Sequence, residues 1–346
     1  MTGMALAITG TGMVTGVGLT APASCAAIRC AVNNSQETRF MDKGGEWIMG
    51  CQVPLEQPWR GKTKLIKMAT AAIRECLDGN GQIIPASTPL LLCLSEKERR
   101  GRVFVDDNQF FLDLQDELGL EFHEKSRIIA HGHVAVAVAL KHARQLIQEQ
   151  NVKHVLIAAT DSLLVGPTLS YYEENERLLT SQNSNGFIPG EAAAALVVEP
   201  VYSKEKPQLL CRGLGFGVEK SHVGSEEPLR ANGLTAAIKA SLDDGGCEMG
   251  HLDFRITDIS GEQYYFKEAA LILLRLLRKR KEEFDIWHPA DCIGEVGAVI
   301  GVVMIAIIKS ACEKNYSKGN HILAHLGSDD GKRSAMIFAW QTVGAK

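Results

Sequence analysis

Short, wholly apolar runs alternate along this chain with longer segments whose apolar positions recur at helical spacing. Residues 5–9 form a short apolar run, and Gly10, Gly12, Gly16 and Gly18 follow before a small-residue segment at 20–31. A strand, a glycine turn and a helix are predicted there. Leu65, Ile66, Ala69, Ile73 and Leu77 make a helical stripe over 65–77, whereas 89–94 is apolar throughout, as a buried strand is. Residues 128–130 read as a strand turning sharply into a helix at 134–147, and 155–160 as a buried strand ending in Asp161. A further apolar strand is expected at 195–198.

The second part repeats this logic. Strands are predicted near Leu209, at 254–259 and at 322–325, with helices at 234–242, 268–281 and 297–312. The segment Val201, Tyr202, Ser203, Lys204, Glu205, Lys206, Pro207, Gln208 is the clear linker signal. Two α/β halves, 1–200 and 208–346, fit best.

Composition narrows the class. The chain has 346 residues, 45% hydrophobic and 23% charged, enough to bury a sizeable core. Its net charge of -4 comes from interspersed signs, so no nucleic-acid partner is expected. The uncharged run 296–308 is too short to span a bilayer of roughly 30 Å and reads as a buried core helix, so no membrane partner is expected. The first twenty residues carry no Lys or Arg, unlike a secretory signal. The nine cysteines form no C-x-x-C pair and no zinc-spaced cluster, which points to reduced thiols and a cytoplasmic protein.

Several local features invite chemical readings. Gly10, Gly12 and Gly16 approach a dinucleotide fingerprint, but the third glycine is one residue late; tight turns and close helix packing explain them better. His131 and His133 with Asp291 would supply metal ligands, yet the two histidines flank a glycine in a turn rather than sharing a helix face. Asp161 and Ser162 at a strand end read as a helix cap. The basic run at 275–283 and the mixed-charge run at 96–102 read as an amphipathic helix with a solvated face and as a surface loop, so neither is expected to contact nucleic acid or a membrane surface. No cofactor and no metal are expected.

Four stretches together resemble the β-ketoacyl synthase family of the thiolase-like superfamily. Residues 7–18 are similar to its opening strand and turn. Residues 185–199, with Gly186, Phe187, Gly190 and Glu191 in place, resemble its Asp-Gly-Phe-x-x-Gly-Glu segment. Residues 294–311 resemble the helix after the family's second catalytic histidine, and 335–338 its closing strand. The resemblance implies a duplicated thiolase-like α/β fold in five layers, αβαβα. It also implies a dimer, either of two copies or with another thiolase-like chain.

The same resemblance exposes departures. His133 falls where the family has its nucleophilic cysteine, and no cysteine lies between Cys93 and Cys211. Ser260 and Asp291 fall where the two histidines stand, Ile286 replaces a lysine, and the glycine-rich gate becomes Gly327, Ser328, Asp329, Asp330, Gly331, Lys332. The connection between Leu94 and Ile128 is short for the family, so a reduced acyl tunnel is expected. A catalytically inactive scaffold, with an accessory role beside bacterial protein secretion within its scope, is the leading expectation. A chain-length-factor-like partner of an active ketosynthase stands second. An acyl-thioester transferase or 3-oxoacyl-carrier-protein synthase with an atypical site stands third.

Overall fold

The computed structural model describes residues 3–81, 83–150 and 152–344. Twelve strands follow in chain order: β1 (Leu6–Val14), β2 (Gln36–Met41), β3 (Trp47–Gly50), β4 (Leu90–Leu94), β5 (Arg127–Ala130), β6 (Val155–Ser162), β7 (Glu191–Pro200), β8 (Lys204–Val218), β9 (Phe254–Thr257), β10 (Ile286–Trp287), β11 (His321–Gly327) and β12 (Lys332–Val343). The helices are α1 (Ala21–Arg29), α2 (Gly61–Asp78), α3 (Asp107–Leu118), α4 (Ala135–Gln150), α5 (Gly166–Glu174), α6 (Asn232–Gly245), α7 (Gln263–Leu276), α8 (Ala290–Ile293) and α9 (Ile300–Glu313).

Ten strands form one sheet in the order β10-β9-β11-β12-β8-β1-β7-β6-β4-β5, and β2 pairs β3 in a separate ribbon. The order contains a repeat. In β1-β7-β6-β4-β5 the first two junctions are antiparallel and the last two parallel, and β8-β12-β11-β9-β10 has the same sequence of junctions. Each strand of the first five therefore has a counterpart at the same place in the second five. The two sets join where Leu6 to Ile8 of β1 pair with Leu209 to Cys211 of β8.

Side-chain alternation along the strands separates the layers. On one side of the first five strands Leu90, Leu92, Leu94, Ala193, Ala195 and Val197 pack with α2 and α3. Leu91, Cys93, Ala194, Leu196 and Val198 face the other way, onto α4 and α9, and so do Ile256, Ala324 and Phe338 of the second five. Leu323, Ala335 and Ile337 point outward to α6 and α7. The sequence of layers is thus αβαβα. The central helix α9 is apolar on every side because sheet or helix surrounds it, with Ile300 to Ile308 all buried.

Three sequence expectations are corrected. Gly10 and Gly12 lie inside β1 and not in a turn, because a Cβ on Gly12 would strike the Ala72 carbonyl of α2; the dinucleotide fingerprint therefore has no turn to occupy. Gly215 of β8 stands in the same relation to Ala237 of α6. The expected linker is more than half strand, since β8 begins at Lys204. The helix expected through residue 281 stops at Leu276, before four consecutive cations that would meet one another and Arg275 at helical spacing.

Candidate functional site

Two sharp turns of nearly identical backbone form the centre of the molecule. After β5 the chain passes His131 (φ -122°, ψ 15°) and Gly132 (φ 55°), then enters α4 through Gly132–Val134. After α8 it passes Val296 (φ -115°, ψ 17°) and Gly297 (φ 55°), then enters α9 through Gly297–Val299. The left-handed glycine lets each helix start at a right place against the sheet, and both are closely covered. A side chain on Gly132 would overlap the Glu96 carboxylate, and one on Gly297 the Asp161 carboxylate.

Arg99 holds both of those carboxylates, at 2.7 Å from Glu96 and 2.6 Å from Asp161. The run at 96–102 is a loop, as its composition implies, but it is not solvated at Arg99, whose side chain is buried. Asp161 is indeed a cap, though of a distant turn: its Oδ2 accepts from the backbone N–H of Ala298 at 2.9 Å. Ser162 donates instead to Glu191 at 2.9 Å.

His133, the residue after Gly132, is buried and its Nε2 lies 2.8 Å from Oε1 of Glu295. Burial alone would lower the imidazole pKa. The Glu295 carboxylate outweighs it and pushes His133 up to about 10, so the ring is an imidazolium at neutral pH. Burial likewise favours a neutral Glu295, but His133, the Gly297 N–H and the Ser260 hydroxyl hold its pKa below the usual range. Asp258, fully enclosed nearby, is pushed up to about 6 by burial despite accepting from the Gly327 N–H at 2.8 Å.

A second charged cluster closes the space beside this pair. Arg177 donates to Glu262 at 2.7 and 2.8 Å and to Asp329 at 2.6 and 3.0 Å. Its guanidinium also lies 5.1 Å from the ring of Tyr172 and 5.7 Å from that of Phe187. Tyr265 donates to Asp329 at 2.8 Å. What remains between His133, Ser260, Glu295, Asp258 and this cluster is a cavity of about 10 Å³. That is room for about one water molecule.

Of the three sequence-predicted positions, His133 and Ser260 line this cavity and Asp291 does not. Asp291 is exposed at the start of α8 and pairs with His288 at 2.8 Å. His131 is exposed on the far side of the turn. His131, His133 and Asp291 therefore do not meet at one place, and among the described residues no group of three His, Cys, Asp or Glu is placed to hold an ion. Glu295, Arg177 and Arg99 were missed. Glu295 follows Gly294 directly before the apolar helix, which is a readable signal; the partners of Arg177 and Arg99 lie far away in sequence and leave none.

Burial pushes Cys25 up to about 11 and Cys51 up to about 12, so neither is an activated thiolate.

No family model matches the sequence, and no curated protein does. Solved structures match over nearly the full length. The ishigamide ketosynthase/chain length factor superposes with a TM-score of 0.79 at 15% identity, over 99% of this chain and 100% of that one. This chain has the thiolase-like fold of ketosynthases and chain length factors. A ketosynthase in complex with its chain length factor from Xenorhabdus doucetiae gives 0.74 at 11% identity, over 98% of each chain. A β-ketoacyl synthase from Burkholderia phymatum STM815 gives 0.71 at 13%, over 98% of this chain and 100% of that one. Within this ketosynthase fold, among the described residues, no helix is long and apolar enough to cross a membrane.

Proposed function

We propose that this ketosynthase-fold chain does not condense acyl thioesters and acts as a non-catalytic binding partner in a protein assembly. The observation that carries the reading is the His133–Glu295 pair at 2.8 Å inside a cavity of about 10 Å³. An imidazolium has no free lone pair with which to attack a thioester. Glu295, placed opposite, opposes the negative charge that would grow on a thioester oxygen. The cavity has no space for an acyl chain beyond the turn.

Ser260 and Glu295 are proposed as the counterparts of the two family histidines. Glu295 takes the place first read onto Asp291, because it follows Gly294 as the family's histidine follows a glycine. Residues 1–200 and 208–346 are proposed as the two halves of the duplication, in keeping with the repeated strand order.

The test is intact-mass spectrometry after incubation with acyl-CoA and acyl-carrier-protein thioesters. No adduct on the peptide containing His133 is the expected result. A stoichiometric acyl adduct there would return the protein to the acyltransferases.

A second reading, as a chain-length-factor-like member of a pair, is favoured by the open end of the sheet. The edge strand β5 has no partner on one side among the described residues, and Val105 beside it is 97% exposed. A groove there is lined by Phe111, Leu112, Arg127 and Ile128. Such an edge is a template for another chain. Light scattering on the protein alone and mixed with a ketosynthase distinguishes a self-pair from a mixed pair, and Val105→Asp is expected to weaken either.

A further inference from the structure

The outer side of α7 carries apolar residues that the core does not use. Phe266, Ala270 and Leu274 are four residues apart and so line up over about 12 Å along one side of the helix. Phe266 is 41% and Leu274 77% exposed, while Ile272 turns inward to pack with Ile238 and Leu242 of α6.

Cations lie beside this stripe and beyond its C-terminal end. Lys267 lies on the same exposed side, and beyond the helix end Arg278, Lys279 and Arg280 are exposed in a non-helical segment. Among the described residues none of these four side chains forms an ion pair or a hydrogen bond with a protein group. Arg275, by contrast, is held by the Arg230 carbonyl and by Asn232 at 2.8 Å. The two acids that follow, Glu282 and Glu283, leave the patch positive.

We propose that this face of α7 docks on an anionic lipid surface. The match is one of charge and polarity together: a lipid interface offers negative headgroups to the four cations and an apolar layer beneath them to Phe266 and Leu274. A nucleic acid would satisfy the cations and leave both apolar side chains in water. The contact is peripheral, and it revises the expectation, drawn from an amphipathic helix continuing through the basic run, that this surface has no membrane partner.

The experiment is co-sedimentation of the full chain with phosphatidylcholine vesicles, with and without phosphatidylglycerol. Binding is expected only to the vesicles containing phosphatidylglycerol. Replacing Arg278, Lys279 and Arg280 by Gln should weaken it by about fivefold per cation, and Leu274→Asp should abolish it. These side chains are exposed, so circular dichroism should show unchanged folding. Equal binding to both vesicles, no binding to either, or full binding by Leu274→Asp overturns the proposal. Displacement by a polynucleotide that is indifferent to Leu274→Asp assigns the patch to nucleic acid instead.

Discussion

Nε2 of His133 and Oε1 of Glu295 lie 2.8 Å apart, each within two residues of the left-handed glycine of its own helix-entry turn. The pair is one of the points at which the two repeated sets of strands meet chemically. Under the proposed function it stands where a condensing enzyme would need an open nucleophile, and it defines the first expectation.

Removing one member of the pair leaves the other charged and buried. His133→Ala should destabilise the protein by about 3–5 kcal/mol. The double variant His133→Leu with Glu295→Leu should recover most of that loss, since paired apolar replacements restore neutrality. Urea unfolding of the single and double variants measures the coupling; an additive double variant would mean that the pair is not a unit.

The pair also sets a pH dependence. The folded pKa of His133 is raised to about 10, above its ordinary 6.5. Its contribution to stability is therefore full below about 6.5 and is lost as pH rises through about 10. Asp258 and Glu268 are raised by burial to about 6 and about 7, so their neutral forms favour the fold at low pH and that advantage disappears as pH rises past those values. Stability measured in urea from pH 6 to pH 10 should fall for the native protein. The fall above neutrality should be much smaller in His133→Gln.

Arg99 answers to two carboxylates at once. Arg99→Ala should cost about 3–5 kcal/mol by leaving Glu96 and Asp161 facing each other unpaired. Arg99→Lys should rescue little, because a single ammonium lacks the fork that reaches both. Thermal denaturation of the two variants checks this, and a full rescue by lysine would contradict the bridging role.

Substitution at two left-handed glycines, Gly119 and Gly132, separates strain from collision. Gly119 at the end of α3 has φ 65° with nothing within 4 Å of a Cβ, so Gly119→Ala should cost only about 1–2 kcal/mol. Gly132→Ala adds the overlap with Glu96 to the same backbone strain and should be clearly worse. Equal losses in chemical denaturation would show that the Glu96 contact yields freely.

The sequence alone determined most of the local elements. An apolar run or a helical stripe is a property of neighbouring residues, so β4, β6, α2, α4 and α9 were all legible, and the absence of cysteine between Cys93 and Cys211 needs no structure to be read. Elements set by what packs on them were read less well: β1 runs through Gly10 and Gly12 because α2 demands close approach there, and α7 stops where cations would crowd. Only the tertiary structure decided the site. Glu295 meets His133 across 162 residues, and Arg177 meets Glu262 and Asp329 across 85 and 152, because the two sheet halves fold onto one pair of central helices. Side chains that distant share no period and no spacing, and their partnership is written in the packing of the layers.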